Sequence, residues 1–121
     1  MDRKTLALEF LRFAREGNRT GAEKLVTADA RHHNPYFAAG IHALLDAIDA
    51  AAASAPDRRT DIKRVVADGE FVVIHTHVRH TANSLGASVV HILRFEGDRI
   101  AELWDVGQAI PADSPNKDGM F

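Results

Sequence analysis

Asp105 stands beside Trp104, the only tryptophan, in an otherwise apolar stretch that follows Gly97-Asp98. A carboxylate there is costly to bury unless it is partnered or protonated. In a partly apolar cavity its pKa is expected to rise towards neutrality, which suits moving a proton on or off a substrate carbon or oxygen. Asp105 is therefore the first candidate acid/base residue, against a structural role as an acceptor of backbone or indole hydrogen bonds. His91 and His77 are candidates to share the proton transfer. His33-Asn34, His75 and Trp104 are candidates to bind and orient a carbonyl or hydroxyl compound.

Strand spacing limits which of these meet. His75 and His77 are two apart, so they share a face with Val73 and Arg79. Leu103 and Asp105 share one face of the last strand, while Glu102, Trp104 and Val106 share the other. A two-residue turn at Gly97-Asp98 sets His91 opposite Trp104 and Val90 opposite Asp105. On that register His91 and Asp105 point apart, and a single β-bulge would bring them together.

His-x-His at 75 and 77 also raises a metal, with His91, Glu102 or Asp105 as a third ligand. The glutamate that follows His-x-His in cupins is missing, because Val78, Arg79, His80 and Thr81 come next. No metal and no cofactor are expected. Neither GxGxxG nor GxxxxGK[ST] occurs, nor a GxSxG nucleophile elbow. His32, His42 and His80 read as surface residues.

The elements that must position these groups change character midway. Residues 3 to 16 read as an amphipathic helix with Leu6, Phe10 and Phe13 on one face, ended by Gly17-Asn18. Thr20 to Glu23 has capping-box spacing and opens a short helix to about Val26. Residues 31 to 37 are irregular or a short strand, because Pro35 blocks helix. Residues 41 to 53 form a third helix, with Ile41, Leu44, Leu45 and Ile48 as its stripe and an alanine run in support. Residues 61 to 67, 71 to 80, 87 to 95 and 99 to 109 are rich in β-branched and aromatic residues and are separated by turn signals. Helices followed by an antiparallel meander give an α+β fold. The apolar Met120-Phe121 end is expected to dock.

At 121 residues with 45% hydrophobic and 26% charged residues, the chain reads as one globular domain over 1–121 with a real core. A net charge of −2 gives no broad pull towards nucleic acid or anionic lipid. The pairs Arg58-Arg59 and Lys63-Arg64 read as solvated loop and strand-edge charges. There is no cysteine, which excludes disulfides and thiolate chemistry. No apolar stretch approaches a membrane span and the start lacks a signal-peptide pattern, so a cytoplasmic protein is expected.

Several ordered motifs carry a resemblance. They are His33-Asn34-Pro35, residues 66 to 69, residues 73 to 77, residues 89 to 94, and Trp104-Asp105-Val106 with Gln108 and Pro111. Together they resemble the SnoaL-like, polyketide cyclase-like proteins of the nuclear-transport-factor-like superfamily, above all the SnoaL-like aldol-condensation group. That group also tends to end in Asn, a few residues and Met-Phe, as here with Asn116, Met120 and Phe121. The resemblance covers nearly the whole chain after residue 30.

It implies N-terminal helices packed on a strongly curved antiparallel sheet, an α+β barrel with a cone-shaped cavity, and a homodimer built through the sheet. It also implies metal-free acid/base chemistry on a small compound: aldol cyclisation, isomerisation or dehydration. The alternative is a non-catalytic small-molecule binding domain with the same cavity. Two positions depart from the group's pattern: His91 stands where the group has Asp, and Leu103 where it has His before Trp-Asp.

Overall fold

The computed structural model describes all residues from Met1 to Phe121. Its elements follow in the order α1 (Arg3–Glu16), α2 (Arg19–Lys24), β1 (Val26–His32), α3 (Ile41–Ser54), β2 (Arg59–Asp68), β3 (Phe71–Arg79), β4 (Ala87–Glu96) and β5 (Arg99–Ala109). Asp2 caps α1 by accepting from the Thr5 amide at 2.8 Å, and Gly17 ends it in the left-handed conformation. The cap of α2 is Asn18 rather than Thr20, since its side chain accepts from the Gly21 amide at 2.9 Å.

The strands form one curved sheet in the order β1-β5-β4-β3-β2. Strands β2 to β5 are the expected meander. Where residues 31 to 37 are expected to be irregular or a short strand, residues 31 and 32 instead end a longer strand, β1, which pairs with β5 in parallel. The sheet is therefore mixed, and β1 and β2 leave two open edges. The barrel expectation is corrected: the strand order does not return on itself, and the helices cover the inner face instead.

That inner face is fixed by period-two burial. Along β3, Val72, Ile74, Thr76 and Val78 are buried while the residues between them are half-buried or exposed. Val72 and Ile74 pack with Leu6, Phe10, Ile41, Leu44, Leu45, Leu93, Phe95, Ile100 and Leu103 into one core. Full burial of one such aliphatic or aromatic side chain contributes about 1.5–3 kcal/mol.

The β4–β5 hairpin carries the decisive irregularity. Glu96 pairs with Arg99 and Phe95 with Ile100, as a two-residue Gly97-Asp98 turn requires. Gly97 has φ +60°, the left-handed position that a type II′ turn reserves for glycine. Arg94 then pairs with Glu102, which leaves Ala101 as an extra residue. This bulge shifts every later pair by one, so His91 faces Asp105 and Ile92 faces Trp104.

Candidate functional site

A cavity of about 240 Å³ lies between the helices and the inner face of the sheet. Helix α3 presents Leu44, Ala47, Ile48 and Ala51 to it, spaced so that all four fall on one face. Helix α1 adds Phe10, Leu11 and Ala14. The alanines do more than favour helix: their short side chains leave the space that a leucine would fill. Val78, Leu93 and Leu103 form the apolar floor.

The polar end of this cavity is built by the bulge. His91 Nδ1 lies 2.7 Å from Asp105 Oδ1, and Asn34 Nδ2 donates to Asp105 Oδ2 at 3.0 Å. Their side chains are only 16% and 19% exposed for His91 and Asp105, so the contact is largely removed from water. Asn34 is itself held. Its amide N–H donates to His32 Nδ1 at 3.1 Å, and its Oδ1 accepts from the Tyr36 amide at 3.1 Å. His32 Nε2 donates to the Ala38 carbonyl at 2.7 Å. His32 is 8% exposed, so the surface role expected for it is corrected: it fixes the loop that aims Asn34.

Burial pushes the Asp105 carboxyl up, yet the hydrogen bond and charge of His91 and the Asn34 hydrogen bond outweigh it. The net direction is down. The rise expected from an apolar setting is therefore corrected, because the site supplies the donors that an isolated carboxylate would lack. With Asp105 ionised, His91 Nδ1 carries the proton it shares with Oδ1. His91 Nε2 lies 3.3 Å from Thr76 Oγ1, and that hydroxyl donates to the Val89 carbonyl at 3.0 Å.

The other candidates lie elsewhere. On β3, His75 and His77 point to the outer face, opposite the buried set. His75 Nε2 contacts Ser88 Oγ at 2.8 Å, Arg64 donates to its Nδ1, and His77 Nε2 donates to the Leu85 carbonyl at 2.7 Å. The Phe121 ring packs on both, 5.3 Å from His75 and 4.6 Å from His77, so the C-terminal end docks as expected.

His33 and Trp104 are also outside. Their rings stack at 5.0 Å with an 11° interplanar angle, and His33 Nε2 lies 2.6 Å from Glu102 Oε2. The expectation that His33, His75, His77 and Trp104 join Asp105 in one cavity is corrected: strand alternation turns His75, His77 and Trp104 to the outer side, and His33, just past the end of β1, packs there on Trp104 and Glu102. The same separation splits the proposed metal ligands. No three His, Asp or Glu side chains come together in a metal-binding group.

Two cavity residues escaped the sequence reading. His80 lines the cavity despite its exposure. Arg58, read as a solvated charge, also lines it, and its Nε is buried without an acceptor. Only the position of Arg58 just before β2 hinted at this, because strand entries border the open end of a curved sheet.

The geometry has counterparts. The sequence matches the SnoaL-like domain model over residues 7–103. No curated protein is similar enough in sequence to match. Among solved structures, an NTF2-like protein from Cytophaga hutchinsonii superposes with a TM-score of 0.74 at 13% identity, covering 89% of this chain and 91% of its own. A protein proposed to be an isomerase of the SnoaL-like family, from Agrobacterium tumefaciens, gives 0.73 at 16% identity over 88% and 97%. One proposed to be a polyketide cyclase, from Sinorhizobium meliloti, gives 0.71 at 15% identity over 84% and 94%. At such identities these likenesses establish the fold alone, and it is the domain match that carries the assignment: this chain belongs to the SnoaL-like family.

Proposed function

We propose that the cavity binds a small, partly apolar carbonyl or hydroxyl compound and that the His91–Asp105 pair moves a proton on it without a cofactor. One observation carries this reading: the 2.7 Å His91–Asp105 contact lies at the polar end of a cavity lined mostly by apolar side chains. A cavity of about 240 Å³ is below the roughly 300–1,000 Å³ of typical drug-sized sites, which favours a compact substrate.

The division of labour follows from the electrostatics. A carboxyl held below its ordinary range is a poor match for proton transfer at neutral pH, and imidazole as a class is a good one. His91 therefore exchanges the proton. Asp105 holds its ring and balances the positive charge that forms, and Asn34 fixes Asp105. The reaction type is proton abstraction beside a carbonyl or assisted loss of water, as in aldol cyclisation, isomerisation or dehydration.

The test is incorporation of solvent deuterium beside the carbonyl in a panel of small ketones and hydroxyketones, followed by NMR. The protein should accelerate exchange for some member, and His91→Gln should slow it by about 10²–10⁴-fold. Binding of panel members without any exchange would sink the catalytic reading. It would leave the second one, a non-catalytic binding domain, which the replacement of the group's usual Asp and His by His91 and Leu103 favours.

A homodimer and a cytoplasmic setting belong to the same proposal. For the dimer, the support is the outer face. Val66, Val73, Ile92 and Trp104 are successive cross-strand neighbours there, and Val66 and Val106 are about 60% exposed.

A further inference from the structure

Arg58 is the cavity group that the proton-moving pair does not use. It sits at the end of the loop after α3, one residue before β2 begins. Its Nε is buried and has no acceptor. Asp105 acts on it only through space, without an ion-pair contact, and burial holds the guanidinium below its ordinary range.

Most other arginines near acids are engaged. Arg12, Arg19, Arg31, Arg79 and Arg94 each hold a carboxylate within 4.0 Å. Arg58 is half-buried, and its Nε is withdrawn from water with no acceptor, which costs stability. The fold offers that Nε no acceptor, and a ligand entering the cavity can supply one.

The remaining lining narrows that ligand. Arg15 reaches Glu16 at 3.9 Å, so Arg58 is the lining arginine left without an acid partner, and the one carboxylate it faces is Asp105. That suits a monoanion; a dianion would meet the ionised Asp105 in a small space. The walls are apolar, including Phe10, Leu44, Ile48 and Leu103. A guanidinium fork fits a planar carboxylate with two parallel hydrogen bonds.

We propose that Arg58 binds the carboxylate of a small, otherwise apolar carboxylic acid in this cavity, so the substrate class is a carbonyl or hydroxyl acid. This rests on the reading of the cavity as the ligand site and names the compound that the site takes.

The experiment uses matched probes: phenylacetate against phenylacetamide, and hexanoate against hexanamide, titrated into the protein by calorimetry or ligand-observed NMR. At least one acid should bind about tenfold or more tighter than its amide. In Arg58→Met the acid should fall to the level of the amide, with the amide unchanged, and Arg58→Lys should restore part of the preference. Without ligand, Arg58→Met should melt at or above the wild-type temperature, because a half-buried, unpaired charge has been removed.

Equal binding of acid and amide, no binding of either pair, or an acid preference that survives in Arg58→Met overturns the proposal. So does a large fall in melting temperature in the ligand-free Arg58→Met protein, which would make the guanidinium structural. The outcomes separate from those of the proton-transfer reading. Equal binding with deuterium exchange intact removes only the Arg58 anchor. Acid preference with no exchange on any compound removes only the catalysis.

Discussion

Two histidine–carboxylate pairs straddle β5 on opposite faces of one sheet. His91–Asp105 faces inward with a 2.7 Å contact, and His33–Glu102 faces outward with a 2.6 Å contact. By distance they are equivalent. Their surroundings differ. Glu102 also meets Arg31 and Arg94, each at 3.3 Å, and its histidine is stacked on Trp104 and 43% exposed. Asp105 has only His91 and Asn34, and it opens on a cavity. The outer carboxylate is saturated with cations and has nowhere to place a substrate. The inner one keeps part of its hydrogen-bonding capacity free beside an unpaired Arg58. A short contact between histidine and carboxylate therefore does not make a site; the unused capacity around it does.

The largest expected effect tests the inner pair. Asp105→Asn keeps the shape but removes the charge that holds His91, and it should lower the exchange rate by about 10³-fold or more while far-UV circular dichroism stays native. Turnover at the wild-type level would collapse the distinction between the two faces.

The next effect belongs to the outer pair. Glu102→Gln leaves Arg31, Arg94 and His33 crowded around a neutral amide. The melting temperature should fall by several degrees with the exchange rate unchanged. Loss of activity without loss of stability would mean that the outer face takes part in the chemistry.

Acid titration sharpens the comparison further. The His33 hydrogen bond, opposed by burial and aided by Arg94 and Arg31, holds the Glu102 carboxyl below its ordinary 4.5. Asp105 is held below its ordinary 3.8, with its bonding partners outweighing burial. Both folded values lie under the unfolded ones, so the unfolded chain binds more protons in between. Each contribution to stability is complete above the ordinary value and is lost as pH falls through the folded value. Urea midpoints measured from about pH 6 downward should drop steeply in wild type and less steeply in Glu102→Gln and in Asp105→Asn. An unchanged acid slope in either variant would show that its partners do not hold the carboxyl ionised.

The smallest effect is at His33. His33→Ala removes the ring stacked on the only tryptophan, so it should change Trp104 fluorescence and cost about 0.5–1.5 kcal/mol of stability. Substrate affinity should not move. A weakened affinity would return His33 to the binding role that its sequence neighbours suggested.

Much of this molecule was legible before its structure. The helix at residues 3 to 16, the alanine-rich helix from Ile41 and the four-strand meander all appear within a residue or two of where periodicity and turn residues place them. Those signals are local: an apolar stripe, a glycine in the left-handed region, a β-branched run. The pairing of Leu103 with Asp105 on one face, and of Glu102 with Trp104 on the other, was equally local and holds. So was the suspicion attached to a lone carboxylate in an apolar strand.

What local pattern could not settle was which strand faces meet. A single extra residue, Ala101, reverses the facing of everything beyond it across the hairpin, and nothing in the type of that residue marks it. His32 and the Nε of Arg58 are more enclosed than local pattern implies for the same reason, since their surroundings come from segments distant in the chain. Neighbours a few residues apart specify every element but β1, together with the family pattern and the candidate carboxylate. Long-range pairing alone brings His91 rather than His33 or His77 to the inner site and turns the Nε of Arg58 out of water there, because facing and burial depend on segments distant in the chain.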